Sequence, residues 1–268
     1  MFASLLGAAV APLLLVQLAE WFNWRVAFFM AGIPGILCAT AVGRFVREPR
    51  KTSAAYVHTA SAGRGSGRLF MLRERNIWLC SAIACLMVSW LMLHQNFLPL
   101  FLTTIRHFSN QRMSQILSVL GVCAAIVGFL GAAVSDRVGR RPVMIGVCLI
   151  GTLTPLAALH FHGPTPVLAA LMFVGWVGTA AFPIFMGVIP GETMPPRSAA
   201  TAIGLVICIG EVVGGFGAPL AGGRAADLTT LAAPIQLAIG CALFAGILSM
   251  FLVETAPAKT GSSAVERL

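Results

Sequence analysis

One carboxylate lies inside an otherwise apolar stretch of this sequence. Glu211 stands near the middle of the run 199–222, which is long enough to cross a lipid bilayer as a helix. Ionisable side chains are costly at that depth and are therefore candidates for function. Glu211 could take up a proton on one side of a membrane and release it on the other. It could equally form a hydrogen bond to a neighbouring helix beside Gly210 and Gly214, and both interpretations stay open.

A second set of polar residues lies in the run 77–104. His94, Gln95 and Asn96 are consecutive, Trp90 comes one helical turn earlier, and Pro99 follows in the same run. Three consecutive residues on a helix point in three directions, so a single ligand cannot meet all of them. Asn96 or Gln95 could donate a hydrogen bond to a polar substrate, and His94 could carry a proton. Hydrogen bonding between helices is the structural alternative, and a break at Pro99 would expose backbone carbonyls.

A strongly charged turn separates two apolar runs. Asp136, Arg137, Arg140 and Arg141 place four charges within six residues, and Gly139 lies between them. Because an apolar helix ends near Val134 and another begins near Val143, the turn is predicted at a membrane face.

The elements that must position these residues follow from composition. Of 268 residues, 58% are hydrophobic and 10% are charged, and the mean hydropathy is +0.89. Soluble domains carry about 25% charged residues, so lipid must cover most of this surface. The sequence predicts an all-α, polytopic membrane helix bundle with about eight transmembrane helices. The eight apolar runs are 1–19, 25–44, 77–104, 113–134, 142–160, 166–188, 199–222 and 232–253.

The positive charges predict the orientation. If both ends are cytoplasmic, the inside segments hold 14 of the 18 Lys and Arg residues and the outside segments hold 4. This asymmetry follows the positive-inside rule and predicts a multi-pass protein of the cell (inner) membrane, with the turn Asp136–Arg141 inside. The net charge of +9 is therefore expected to face anionic lipid headgroups, and no nucleic-acid partner is predicted.

Several other chemistries lack their sequence patterns. The Gly-Arg-Gly-Ser-Gly run at 63–67 follows no strand and lacks the Gly-Lys-Ser/Thr ending of a phosphate-binding loop. His160 and His162 have no third ligand nearby, and the seven cysteines show no metal spacing. No catalytic motif of an intramembrane enzyme occurs in the sequence. We therefore expect no enzyme, no metal and no cofactor beyond a coupling proton.

Two segments of the chain repeat one pattern. Residues 7–13 and 214–220 both read Gly-x-x-x-Ala-Pro-Leu, each with a proline inside an apolar run. Either the match is a coincidence in Gly-rich sequence or the two helices are equivalent elements of two related halves.

Three motifs carry a resemblance to a known family. Asp136–Arg141 resembles the Asp-Arg-x-Gly-Arg-Arg signature turn of the major facilitator superfamily, although Ala132 replaces the glycine expected four residues before it. Glu192–Gly204 resembles the turn that leads into the eleventh helix of that family, and Trp24–Phe29 resembles the start of its sixth helix.

The resemblance implies a secondary transporter of a small polar solute, of organic-acid or sugar type, that is proton-coupled and works by alternating access. The signature turn, including Arg137 and Gly139, would then be a conformational latch. Glu192 and Arg197 would form a second cytoplasmic turn.

The same resemblance aligns the chain with helices five to twelve of twelve. Residues 1–44 would be the last two helices of the N-terminal half, and 45–76 a cytoplasmic linker. A complete C-terminal six-helix half would follow at 77–253, and 254–268 would be a cytoplasmic tail. Such a chain is expected to be N-terminally truncated, with the missing N-terminal helices as a possible partner beside the lipid bilayer and a small-molecule substrate. The alternative function is a fragment of a longer transporter, or a non-transporting membrane protein with this fold.

Overall fold

A computed structural model describes residues 2–45 and 74–256. The first part holds two helices, α1 (Phe2–Trp21) and α2 (Trp24–Phe45). Most of the predicted linker, residues 46–73, and the tail beyond residue 256 lie outside the described residues.

The second part is a bundle of helices without strands in its described residues. It begins with α3 (Arg75–Thr104) and α4 (Asn110–Val138), which are each continuous. The remaining helices are α5 (Arg140–Gly151), α6 (Leu153–His160), α7 (Thr165–Trp176), α8 (Ile189–Thr193), α9 (Pro196–Gly210), α10 (Ala218–Leu228) and α11 (Ala232–Ser249).

Several of these helices combine into longer membrane-spanning units. α7 and α8 are joined through a 3₁₀ turn at Val177–Ala180, a single α-helical turn at Ala181–Pro183 and a π-helical turn at Ile184–Val188. α9 and α10 are joined through a π-helical segment at Glu211–Gly217. Seven units in the described ranges are long and apolar enough to cross a membrane, and α1 adds a shorter apolar stretch at Val10–Ala19. The predicted polytopic helix bundle is thus confirmed.

Helix α3 lies at the centre of the bundle, packed against α9 and α11. Small residues bring α3 and α9 close together: a Cβ on Gly210 would lie 2.9 Å from the Cβ of Ala84. A Cβ on Gly214 would lie 2.8 Å from the backbone of Cys85 and Ser89. Because α3 and α9 both start at the end of the bundle that carries the charged turn, they run parallel.

The first two helices are attached differently. α1 packs along α4, whereas α2 packs against α1 and leaves most of its surface open. The side chains of Phe28 and Phe29 on α2 are 74% and 81% exposed. Lipid or further protein must cover these aromatic rings.

Two sequence expectations about helix continuity are wrong. α3 stays helical through Pro99, where only one backbone hydrogen bond is lost, so no break exposes carbonyls there. The last apolar run was expected to be helical to residue 253, but α11 ends at Ser249. The following residues leave the helix because Val253 and Glu254 bond to other parts of the bundle.

Candidate functional site

The charged turn is built around one glycine. Gly139 joins α4 to α5 with a φ of 117°, which L side chains rarely adopt. A Cβ at this position would also lie 2.8 Å from a carboxylate oxygen of Glu254. Both the backbone and the close neighbour therefore require glycine here.

Arg140 is the centre of an ion-pair cluster at this end of the bundle. Its side chain is only 4% exposed and donates to both carboxylate oxygens of Glu192, at 2.8 and 3.3 Å. It also pairs with Asp136 one turn earlier and donates to the hydroxyl of Ser135. A planar guanidinium that grips a carboxylate at two points fixes orientation as well as distance. The contact holds α8 against the start of α5.

Glu254 completes the cluster from the other side. Its carboxylate accepts hydrogen bonds from the backbone N–H groups of Arg140 at 2.7 Å and Arg141 at 3.2 Å. These are free donors of the first turn of α5, so Glu254 caps that helix. Partial burial alone would raise the pKa of Glu254. The backbone donors of Ala256, Arg140 and Arg141 outweigh it and hold that pKa below its ordinary value.

A short strap after α11 is fastened at two further points. Asn76, at the start of α3, accepts from the N–H of Val253 at 3.0 Å and donates to its carbonyl at 3.2 Å. The hydroxyl of Thr255 donates to Glu192 at 2.6 Å. Residues 250–256, which we call the strap, therefore bind the first helix of the bundle and the ion-pair cluster together.

The cluster differs in membership from the predicted latch. Asp136, Gly139, Arg140 and Glu192 are brought together. The side chains of Arg137, Arg141 and Arg197 are exposed and form no ion pair with any described residue. Sequence reasoning missed Asn76, Glu254 and Thr255. The available signal was a lone carboxylate just after the last apolar run, but its partners lie 114 positions earlier.

Glu211 lies in the π-helical segment between α9 and α10. Its side chain is exposed and extends along the helix toward the next turn, where a Cβ on Gly215 would lie 2.6 Å from its carboxylate oxygen. No ion pair or hydrogen bond holds the carboxylate within the described part of the chain. Single π-helical turns inside α-helices are frequent at functional sites. The segment thus presents an acid on an open face of a membrane-spanning unit.

His94 is separated from its polar neighbours. It is fully buried, and its Nδ1 lies 2.7 Å from the carbonyl of Trp90. Its ring lies against two indoles, with centroids 4.6 Å from Trp90 and 5.5 Å from Trp176. Trp90 in turn donates to the carbonyl of Gly151 at 3.1 Å. Among the described residues, none forms a hydrogen bond with the Nε2 of His94.

Gln95 and Asn96 face outward from α3. Both are exposed, and the Asn96 amide donates to the carbonyl of Met92 at 2.8 Å in its own helix. The parallel packing of α3 and α9 sets their depth relative to Glu211, because Ala84 lies level with Gly210. Asn96 is then about 16 Å further along the bundle than Glu211 by the helical rise. One small ligand therefore cannot touch both.

Comparison with known proteins agrees with this architecture. The model of the Major Facilitator Superfamily matches residues 1–131 and 93–267. A probable 4-methylmuconolactone transporter of Cupriavidus pinatubonensis is 27% identical over 78% of this chain and 48% of its own length. The hexuronate transporter of Bacillus subtilis is 24% identical over 97% of this chain and 65% of its own length. An uncharacterized MFS-type transporter of Bacillus subtilis is 31% identical over 59% of the chain and 37% of its own length.

The chain thus spans about one third to two thirds of the length of these relatives. Their names are those of transporters and not of enzymes. The signature turn, the apolar helices and the family match lead to one conclusion. This chain is a multi-pass membrane protein that belongs to the Major Facilitator Superfamily.

Proposed function

We propose that this chain is part of a secondary transporter that moves a small polar solute together with protons by alternating access. The observation that carries the proposal is the unpaired carboxylate of Glu211 on an open face of a membrane-spanning unit. A carboxylate that forms no ion pair can bind a proton when its surroundings become apolar and release it when they are exposed to water. Glu211 is therefore proposed as the proton-binding residue.

The substrate is proposed to be an organic acid or a sugar. Two of the relatives above are named for 4-methylmuconolactone and hexuronate. A further relative, the sugar efflux transporter B of Salmonella typhimurium, is 23% identical over 80% of this chain and 55% of its own length. These names all refer to small oxygen-rich solutes. Asn96 and Gln95 offer exposed amides that could bind such oxygens. His94 and Trp90 are buried beside them and would support α3 rather than touch the solute.

The ion-pair cluster is proposed to act as a latch on the cytoplasmic side. Arg140 and Glu192 join α5 to α8, so separating these helices requires breaking a two-point contact. The charge asymmetry supports this side, because the positive-inside rule favours a cytoplasmic position for both chain ends in an inner membrane. From the resemblance to the family's helix order we assign residues 1–44 to the first half of the transporter, 45–76 to a linker, 77–253 to the second half and 254–268 to a tail.

Uptake measurements test the coupling. The intact transporter that contains these residues is reconstituted in liposomes, and uptake of a labelled hexuronate is followed under an imposed pH gradient. Glu211→Gln should abolish gradient-driven accumulation while exchange of solute across the membrane persists. Asp227→Asn, which neutralises an exposed acid at the end of the same unit, is the matched control and should leave accumulation unchanged. Equal accumulation by Glu211→Gln and the unaltered protein would overturn the role of Glu211.

A second candidate is that these 268 residues fold without transporting by themselves. The exposed aromatic rings of α2 and the open face around Glu211 favour it, because a solute path needs walls on both sides. Reconstitution of the 268-residue chain alone distinguishes the two. Uptake above that of empty liposomes would exclude this candidate, and uptake restored only by added N-terminal helices would support it.

A further inference from the structure

A groove lies between the first turns of α4 and α7. Both helices begin at the end of the bundle opposite the signature turn, so the groove opens near that membrane face. Its volume is about 400 Å³. It is lined by Arg112, Gln115, Ile116, Val119, Thr165, Pro166 and Ala169.

The rim of the groove favours an anion. Arg112 is exposed, and in the described part of the chain its guanidinium has neither an ion pair nor a hydrogen bond. Gln115 and Thr165 add an amide and a hydroxyl beside it. Helices α4 and α7 both begin near this rim, so the partial positive charges of their N-termini lie close by. No lining residue is acidic, so nothing in the groove neutralises Arg112.

The loops beside the groove carry a further positive charge, that of Arg106. Arg106 follows α3 and donates to the carbonyl of Phe161, which joins the loop before α4 to the loop before α7. The other terminal guanidinium nitrogen of Arg106, Nη1, is buried and forms no hydrogen bond with residues 2–45 or 74–256. The sequences 104–116 and 160–170 contain no Asp or Glu. Arg106 therefore adds a second cation on the same face, held in place by its contact with Phe161.

The floor of the groove continues as an apolar stripe along α4. Val119, Val122 and Ile126 recur at helical spacing and are between 36% and 46% exposed. They extend about 10 Å from the groove toward the middle of the bilayer by the helical rise. A free carboxylate or phosphate needs no such stripe, whereas an acyl chain matches it in chemistry.

We propose that this groove binds an anionic phospholipid of the adjacent leaflet. The phosphate lies at Arg112, with Gln115 and Thr165 as hydrogen-bond donors, and one acyl chain runs along the stripe from Val119 to Ile126. The site is independent of the solute path and of proton coupling. It gives the bundle a fixed lipid ligand at the face opposite the signature turn.

Native mass spectrometry of the purified chain tests the proposal. Phosphatidylglycerol and phosphatidylcholine with identical acyl chains are titrated, and bound lipid is counted for each. The unaltered chain should prefer phosphatidylglycerol, and Arg112→Gln should reduce that preference about fivefold, as expected for ~1 kcal/mol per basic residue near anionic lipid. Arg224→Gln removes an exposed arginine at the same end of the bundle, away from the groove, and should change nothing. Equal losses in both variants would show unspecific surface charge and overturn the site.

A second variant separates shape from charge. Ala169→Phe fills the groove without altering any charge and should also reduce bound phosphatidylglycerol, while the thermal midpoint shows that the bundle remains folded. Displacement of the lipid by millimolar inorganic phosphate would identify a free-anion site and overturn the proposal. Mass peaks of a dimer that forms as lipid leaves, and that Ala169→Phe abolishes, would assign the groove to a second copy of the chain and also overturn it.

Discussion

At the scale of single residues, Arg140 carries more of the structure than its charged neighbours do. Its guanidinium is 4% exposed, whereas the partner side chains of Asp136 and Glu192 are 57% and 26% exposed. Arg141 is adjacent in sequence, yet only its backbone N–H is used. Residue type and position in a motif therefore do not fix a residue's contribution. Burial and partners do.

This contrast gives a stability prediction. Arg140→Gln should lower the free energy of unfolding by about 2 kcal/mol, because it removes charged hydrogen bonds whose acceptors are partly solvated. Arg141→Gln should change it by less than about 0.5 kcal/mol, as is usual for exposed substitutions. Thermal or denaturant unfolding of the two variants in detergent measures both. Equal destabilisation would contradict the assignment of the cluster to Arg140.

Glu254 gives a prediction about pH. Because its folded-state pKa is lowered, the capping contribution is fully present above the ordinary pKa of 4.5 and is lost as pH falls through the folded value. The difference in unfolding midpoint between the unaltered chain and Glu254→Gln should therefore be constant from pH 7 to pH 6. It should shrink progressively below about pH 4.5. A difference that grows on acidification would show that the carboxylate is not bound in its charged form.

At the scale of elements, α4 and α5 meet at a turn that only glycine fits. Gly139→Ala should cost about 1–3 kcal/mol, because the left-handed backbone is strained and the new Cβ meets Glu254. Gly146 lies within α5 with no atom within 4 Å of a Cβ, so Gly146→Ala should be neutral or stabilise by up to about 1 kcal/mol. Unfolding midpoints of the two variants compare the sites on one helix. Similar effects would refute the special role of the turn.

How far the sequence predicted these elements depends on the range of the interactions involved. The membrane-spanning units follow from local apolar runs, and the turn at Gly139 follows from a local charge pattern. The early end of α11 could not be predicted, because Val253 is held by Asn76 from 177 positions away. The π-helical segment at Glu211 could not be predicted from the sequence either, because no composition rule marks where an α-helix widens to i→i+5 hydrogen bonds. The candidate site was predicted least well. The distance along the bundle between Asn96 and Glu211 depends on how α3 and α9 pack, and the sequence does not show that packing.

At the scale of the whole molecule, the bundle is well packed on some faces and open on others. Cys38 and Cys208 are exposed, whereas Cys80 and Cys148 are fully buried. In the solubilised 268-residue chain, N-ethylmaleimide should modify Cys38 and Cys208 faster than the two buried thiols. This uncharged reagent enters the detergent around the outward-facing thiols, whereas reaching the buried ones requires opening the core at a cost of several kcal/mol. Peptide mass spectrometry measures the rates. In the intact transporter, slower modification of Cys208 alone would show that further helices cover the open face of α9, and uniform rates in the isolated chain would contradict the described packing.

The strap also brings together the two points at which the polypeptide enters and leaves the larger bundle. Asn76 and Val253 exchange hydrogen bonds, so the polypeptide enters and leaves the larger bundle at one point. The stretch between them is a closed ring fastened at a single membrane face. A force applied to the segment before Asn76 and a force applied to the segment after Val253 would therefore both act on the bundle at this one contact. In the bundle of residues 76–253 taken by itself, these two ends could also be joined by a short linker and new ends opened in the loop 161–164 at the opposite face, giving a circular permutant that keeps the helices of that bundle in place.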